Sequence, residues 1–225
     1  MLKPVTDGNG TTQYVEVKGG TGPAMVFVPV AVNVGLAPLL VYFHGHSDHD
    51  TTQHNSIAEY IGYMPERDFR PLLRLKQAVL VEPWGGTWSH FGAAGTAAGL
   101  PALIEAALGS KTQPRSLILI GFSGGGSALK AVGLNLGGTL LSLLSEVWCL
   151  DCMYSGEGKA WGDWARDKNK RLRVGLSTGE DSRPGHGPRA QVPSIGQGGT
   201  ITIETFKATH EQLPGKCFEK WLGSP

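Results

Sequence analysis

The sequence predicts an α/β fold in which a mostly parallel central sheet of about eight strands carries helices on both faces. Three observations lead there. Apolar runs such as Leu39-Leu40-Val41-Tyr42-Phe43 and Leu117-Ile118-Leu119-Ile120 are unbroken rather than alternating, the pattern of strands buried on both faces. Stretches suited to helices separate these runs, as parallel strands require. A chain of 225 residues is enough for one sizeable core and too short for two ordinary ones.

Taken in order, residues 13–18 and 24–32 read as two strands joined by the turn Gly19-Gly20-Thr21-Gly22-Pro23. Pro38 opens the run that ends at His44-Gly45, and further strands are expected over 77–83, 117–120, 147–150, 171–177 and 200–206. Helices are expected over 97–108, where Gly109 supplies a stop, and over 124–136, 139–146 and 214–222. The 33 glycines sit at the ends of apolar runs and form no repeat, which suggests many tight turns. The segment after 147–150 leaves little room for a cap, so a single domain over 1–225 without a large cap is predicted.

Composition removes several function classes. The formal net charge is +1 and no Lys/Arg run occurs, so neither nucleic acid nor an anionic membrane surface is an expected partner. No apolar stretch approaches the ~18 residues a membrane span needs. Met1-Leu2-Lys3-Pro4 lacks the apolar core of an export signal, and a cytoplasmic protein is expected. Three cysteines, an odd number, argue against a disulfide framework. Cys149 and Cys152 read as buried strand residues rather than a redox or zinc pair, since Val147-Trp148-Cys149-Leu150 is apolar and no second pair exists. Oligomeric state is not legible.

The chemistry centres on Gly121-Phe122-Ser123-Gly124-Gly125, which matches G-x-S-x-G, the nucleophile elbow. A serine on a sharp strand-to-helix turn projects its Oγ above the sheet, and glycines two residues away keep the turning chain free of collisions. The helix that follows aims N–H groups at the same point, where a negative oxygen is stabilised. Context supports the motif, because an apolar strand precedes Ser123 and Ser127-Ala128-Leu129-Lys130-Ala131 reads as a helix. A phosphate-binding loop fits less well, since Gly124-Gly125-Gly126 lacks the Gly-Lys-Ser/Thr of a P-loop.

Gly121–Gly125 together with Phe43-His44-Gly45-His46 resembles the α/β-hydrolase superfamily, in its small, cap-poor serine esterase type. The resemblance implies an oxyanion hole formed by the backbone N–H of Gly124 and of His46 or Ser47. It also implies a catalytic triad in the order serine, acid, histidine. His210 fits as the base, and His210-Glu211-Gln212-Leu213-Pro214 resembles the His-x-x-x-Pro run of some small members. His186 precedes the last strand and would give the wrong order. For the acid, Asp151 in Leu150-Asp151-Cys152-Met153-Tyr154 resembles the Asp-x-x-Tyr of those same members. Asp181, and after it Glu180, stand as alternatives following the next strand. The implied reaction is two-step acyl transfer on a small ester, or else an amide, with no cofactor. Trp84, Trp88 and His90 follow a strand's C-terminal end and, with Tyr154, are candidates for substrate binding. Trp161 and Trp164 either line the opposite side or anchor the next helix.

Two other readings come from the same residues. His44-Gly45-His46-Ser47-Asp48-His49 matches H-x-H-x-D-H and resembles the zinc-binding run of metallo-β-lactamase-fold hydrolases. There His44, His46, Asp48 and His49 would be ligands. Against it, Asp50-Thr51-Thr52 follows where that pattern has Gly-Gly, and Ser123 would be left unexplained. The third reading is a non-catalytic binding module on a hydrolase scaffold, which the ordered serine, acid and histidine argue against.

Overall fold

Along the strand Pro38–Phe43, Leu39, Val41 and Phe43 join one apolar cluster and Leu40 and Tyr42 join another. Alternating side chains must divide in this way, and a strand apolar at every position therefore needs cover on both faces. The computed structural model describes residues 3–45, 69–85, 89–110, 112–154, 156–178 and 187–223. Among them the chain builds one nine-stranded sheet, one strand beyond the number expected. The strands are β1 (Val5–Thr6), β2 (Gly10–Val15), β3 (Ala24–Pro29), β4 (Pro38–Phe43), β5 (Val79–Pro83), β6 (Ser116–Phe122), β7 (Leu144–Leu150), β8 (Arg171–Ser177) and β9 (Ile201–Phe206). Their spatial order is β1-β2-β3-β5-β4-β6-β7-β8-β9. The first three strands and the β3–β5 pair are antiparallel, and every pair from β5 to β9 is parallel.

Helices cover both faces. On one side, α1 (Arg70–Lys76) and α7 (Leu213–Gly223) bring Leu73, Leu213, Cys217, Phe218 and Trp221 against Leu40, Tyr42, Ile120 and Trp148. On the other, α2 (Leu100–Leu108), α3 (Gly126–Gly133) and α5 (Glu157–Lys168) bring Leu103, Leu129, Val132, Trp161 and Trp164 against Val41, Leu119 and Val147. The short α4 (Gly138–Leu143) and α6 (Pro188–Ile195) complete the described helices. Helix α2 shows why its sequence was readable: Pro101 lies in its first turn and Gly109, at φ +85°, ends it.

Two expectations are corrected. The first hairpin strand runs over 10–15, not 13–18, because it pairs from Gly10↔Pro29 to Val15↔Ala24 and then turns away. The helix expected over 139–146 stops at Leu143, since Leu144 is fully buried as the first residue of β7 and Glu146 pairs with Arg171 on β8. Helix α5 was anticipated only as an unspecified next helix. Its buried residues are Gly158, Trp161, Gly162, Trp164 and Ala165, at helical spacing but with glycine at two of the five. Those glycines let α6 approach closely: a Cβ on Gly162 would stand 1.9 Å from the Ile195 carbonyl oxygen. Trp161 and Trp164 are therefore buried anchors of this helix, packed edge to face at 5.4 Å.

Glu146 joins β7 to β8 through charge. Its carboxylate accepts from Trp148 Nε1 at 2.7 Å, Arg173 Nε at 2.7 Å and Arg171 Nη1 at 2.6 Å. Burial alone would raise its pKa, but the hydrogen bonds from Arg173 and Trp148 and the two guanidinium charges outweigh it, and the net shift is downward. A depressed carboxylate stabilises the fold above its ordinary value near 4.5 and loses that contribution as pH falls through the lower folded value. Glu146→Gln is expected to cost about 1–2 kcal/mol at neutral pH. Urea midpoints of variant and parent should then converge below the ordinary carboxylate range. A gap that persists at low pH would contradict this account.

Cys149, Cys152 and Cys217 are all free and buried. Burial pushes the thiols of Cys149 and Cys217 well up, which keeps them protonated and inert. A chromogenic disulfide reagent should titrate no thiol in the native protein and all three after denaturation. Prompt native reaction at any of them would show that the sheet opens more readily than its packing implies. Among the described residues, no helix is long and apolar enough to cross a membrane.

Candidate active site

The chain leaves β4 toward β5 on one side and leaves β6 toward β7 on the other, although β4 and β6 are neighbours. Connections that part in this way mark a topological switch point, and the region beyond the C-terminal ends of such strands is the usual ligand position in such sheets. Gly45 and Ser123 both lie just beyond the C-terminal ends of these strands, β4 and β6. They are close: a Cβ on Gly45 would stand 2.9 Å from Ser123 Cβ.

Ser123 has φ +50° and starts a tight 3-10 turn over Ser123–Gly125 that passes directly into α3. A non-glycine residue in this region is strained by roughly 1–3 kcal/mol, and surrounding structure must hold it there. The flanking glycines show how. A Cβ on Gly125 would lie 2.1 Å from the Phe43 carbonyl oxygen, and one on Gly121 would lie 2.8 Å from Leu129 Cβ. The strand exit, the turn and the helix therefore fit together only with glycine at both positions. Ser123 and Gly124 remain half-buried.

One strand away, Asp151 occupies the matching place. Phe122 is paired with Leu150, so Ser123 and Asp151 are each the first residue beyond adjacent strands. Asp151 also has positive φ, +42°. Its carboxylate is buried and accepts the Ser177 N–H at 3.1 Å, the Ser177 hydroxyl at 2.5 Å and His210 Nδ1 at 3.1 Å. A buried carboxylate needs such donors, and both of its oxygens have one. A carboxylate oxygen accepts, so this contact suits a proton on His210 Nδ1, and in the neutral ring that leaves Nε2 as the acceptor. The imidazole packs on Phe122, the residue before Ser123, with ring centroids 4.6 Å apart. His210 lies in the turn between β9 and α7 and its side chain is 29% exposed. The chain order serine, acid, histidine is thus gathered at one end of the sheet.

The remaining candidates divide. Tyr154 donates its hydroxyl to the Asp151 carbonyl at 3.1 Å, which braces the loop after β7. Trp84 is half-buried beside the His44 ring, with centroids 6.2 Å apart, and His90 is exposed. His46, Ser47, Asp48, His49, Trp88, Glu180, Asp181 and His186 lie outside the described residues. His44 is engaged internally: Nδ1 contacts the Gly45 carbonyl at 2.7 Å and Nε2 accepts the Gly85 N–H at 3.1 Å. That arrangement places the proton on Nδ1 and uses the Nε2 lone pair, leaving neither nitrogen ready to ligate a metal. Ser89 Oγ adds a bond to the His44 carbonyl at 3.1 Å, tying the loops after β4 and β5 together. Among the described residues, no group of three His, Cys, Asp or Glu side chains is arranged to hold a metal ion.

Sequence reasoning missed Ser177. Its only trace was a polar pair, Ser177-Thr178, closing the apolar run of β8. Buried strand ends seldom keep a hydroxyl without a partner.

The sheet order, its crossover at β4 and β6, and the strained serine at that crossover define the α/β-hydrolase fold, and the chain has that fold. No protein-family model matches it, and no curated protein sequence does. Solved structures do. A cold-adapted esterase from an Arctic intertidal metagenomic library superposes with TM-score 0.60 at 18% identity, covering 96% of this chain and 92% of that one. An S-formylglutathione hydrolase from Agrobacterium tumefaciens matches with TM-score 0.59 at 13% identity over 99% of this chain and 98% of its own. A thermostable esterase matches with TM-score 0.59 at 14% identity, and there the chain spans 62% of the other's length. At such identities the likeness establishes the fold.

Proposed function

We propose that this chain is a serine hydrolase that cleaves a small carboxylic ester, or secondarily an amide, through an acyl-enzyme on Ser123. The observation that carries this reading is the His210–Asp151 contact at 3.1 Å, made beside a serine held at φ +50°. Esterases among the structural neighbours support the ester as first choice. In this reading His210 Nε2 removes the Ser123 proton as Oγ attacks the carbonyl carbon. Asp151 holds the imidazole in the required tautomer and balances the charge that develops on it. The tetrahedral oxyanion is met by the N–H of Gly124 and by that of His46 or Ser47, each such donor contributing about 2.7–4 kcal/mol to barrier lowering. Collapse expels the alcohol or amine, protonated by His210. Water activated by the same base then frees the acid.

The chain would act as one domain over 1–225 without a large cap, without a cofactor, and in the cytoplasm. Trp84, Trp88, His90 and Tyr154 would border the acyl or leaving-group pocket. A fluorophosphonate probe tests the reading directly: it should label one site, and peptide mapping should place the adduct on Ser123. Activity that persists after full labelling and disappears with a chelator would overturn it in favour of metal chemistry.

A further inference from the structure

The end of β8 supplies two consecutive residues that grip opposite members of the His–Asp pair. Ser177 is buried, and its N–H reaches Asp151 Oδ1 at 3.1 Å and Oδ2 at 3.3 Å, while its hydroxyl reaches Oδ2 at 2.5 Å. Thr178 sends its N–H to the carbonyls of Phe206 at 3.0 Å and Ala208 at 3.2 Å, and its Oγ1 to Ala208 at 3.3 Å. Those carbonyls belong to the turn that leads into His210. One peptide step of extended chain therefore links the carboxylate to the segment carrying the imidazole. The Ser177 carbonyl is in turn held by the Arg189 guanidinium from α6.

We propose that Ser177 is a positioning residue for this pair, a role that rests on the hydrolase reading above. The torsion about the Cβ–Cγ bond of an aspartate is broad and two-fold, so one donor leaves the carboxylate plane free to swing. The Ser177 N–H reaches both oxygens, nearer Oδ1, and its hydroxyl holds Oδ2 closely, which together fix the plane. His210 Nδ1 meets the same Oδ2 that receives the hydroxyl. Without the hydroxyl, the buried charge keeps the backbone donor but loses the constraint that aims Oδ2 at the imidazole.

The test compares Ser177→Ala and Ser177→Thr with the parent, using kcat and KM for a p-nitrophenyl ester per folded molecule, counted by near-ultraviolet dichroism. The alanine variant should lose about tenfold in kcat with KM unchanged, because the lost bond acts on the base and not on substrate binding. Threonine, which keeps the hydroxyl, should restore most of it. The downfield proton resonance of His210 Nδ1–H should be sharp in the parent and threonine proteins and broadened in the alanine variant. A hydroxyl that only satisfies buried charge would lower the melting temperature and leave kcat per folded molecule unchanged, and that result overturns the proposal. So does a raised KM at constant kcat. Should the alanine protein not fold, Ser177→Cys keeps the volume with a weak donor, and the same two outcomes decide. Ser123→Ala in the same assay separates the levels: activity surviving it removes the hydrolase reading and this role together. Activity lost there but kept in Ser177→Ala removes only the positioning role.

Discussion

Ser123→Ala is expected to lower kcat for ester hydrolysis on the order of 10⁶-fold and to abolish fluorophosphonate labelling. The size follows from how the group works. No neighbouring atom can replace Oγ, because the position is set by a strained backbone at φ +50° and by glycines that exclude larger residues on either side. Folding should be undisturbed. Alanine tolerates the left-handed region about as well as serine, and neither Gly125 nor Gly45 meets a larger atom than before. KM for a small ester should change little, since the hydroxyl contributes to the transition state and hardly to ground-state binding. Steady-state kinetics on purified, folded variant check all three statements. Retained turnover would leave the elbow as a turn without chemistry.

Asp151→Asn should lower kcat by about 10⁴-fold, while Asp181→Asn should leave it within about twofold. The surroundings of Asp151 explain why a near-isosteric change is so damaging. The Ser177 N–H cannot turn and lies nearer Oδ1, so the new amide oxygen takes that place, while the Ser177 hydroxyl beside Oδ2 can rotate to accept. The new NH₂ then occupies the Oδ2 position, facing His210 Nδ1. A donor in that place forces Nδ1 to accept and moves the imidazole proton to Nε2, the nitrogen needed as base. The variant is therefore held in the wrong tautomer rather than merely weakened. Parallel kinetics on both variants give the answer, and loss confined to Asp181→Asn would transfer the acid role to the next loop.

Legibility followed whether a residue's role was written in its own segment. Continuous apolar runs at 38–43 and 116–120 carried the sheet, since burial on both faces leaves no polar position to interrupt them. Helix α5 is obscured in the sequence because glycine takes two of its five buried positions, and close approach by α6 explains that choice only once α6 is in place. The bounds of β2, at 10–15 instead of 13–18, differ for a similar reason. Pairing with β3, not the local pattern, decides which six residues bond.

For the site, the sequence by itself determined the nucleophile candidate and its turn. Spacing, flanking glycines and the strand–helix context are local properties, and they read correctly as Ser123 at a strand exit. It also ordered the candidates along the chain, with His210 downstream of every acid considered. The tertiary structure alone brought the Asp151 carboxylate onto the imidazole, because Asp151 and His210 are 59 positions apart and their contact depends on the β6–β7–β8–β9 sheet order. It alone brought Ser177 onto that carboxylate and turned His44 inward onto Gly85. Hydrogen bonds reach only about 3 Å, whereas neighbouring strands lie about 5 Å apart and come from distant sequence. Pattern therefore names the candidate nucleophile, and packing selects which distant side chains meet.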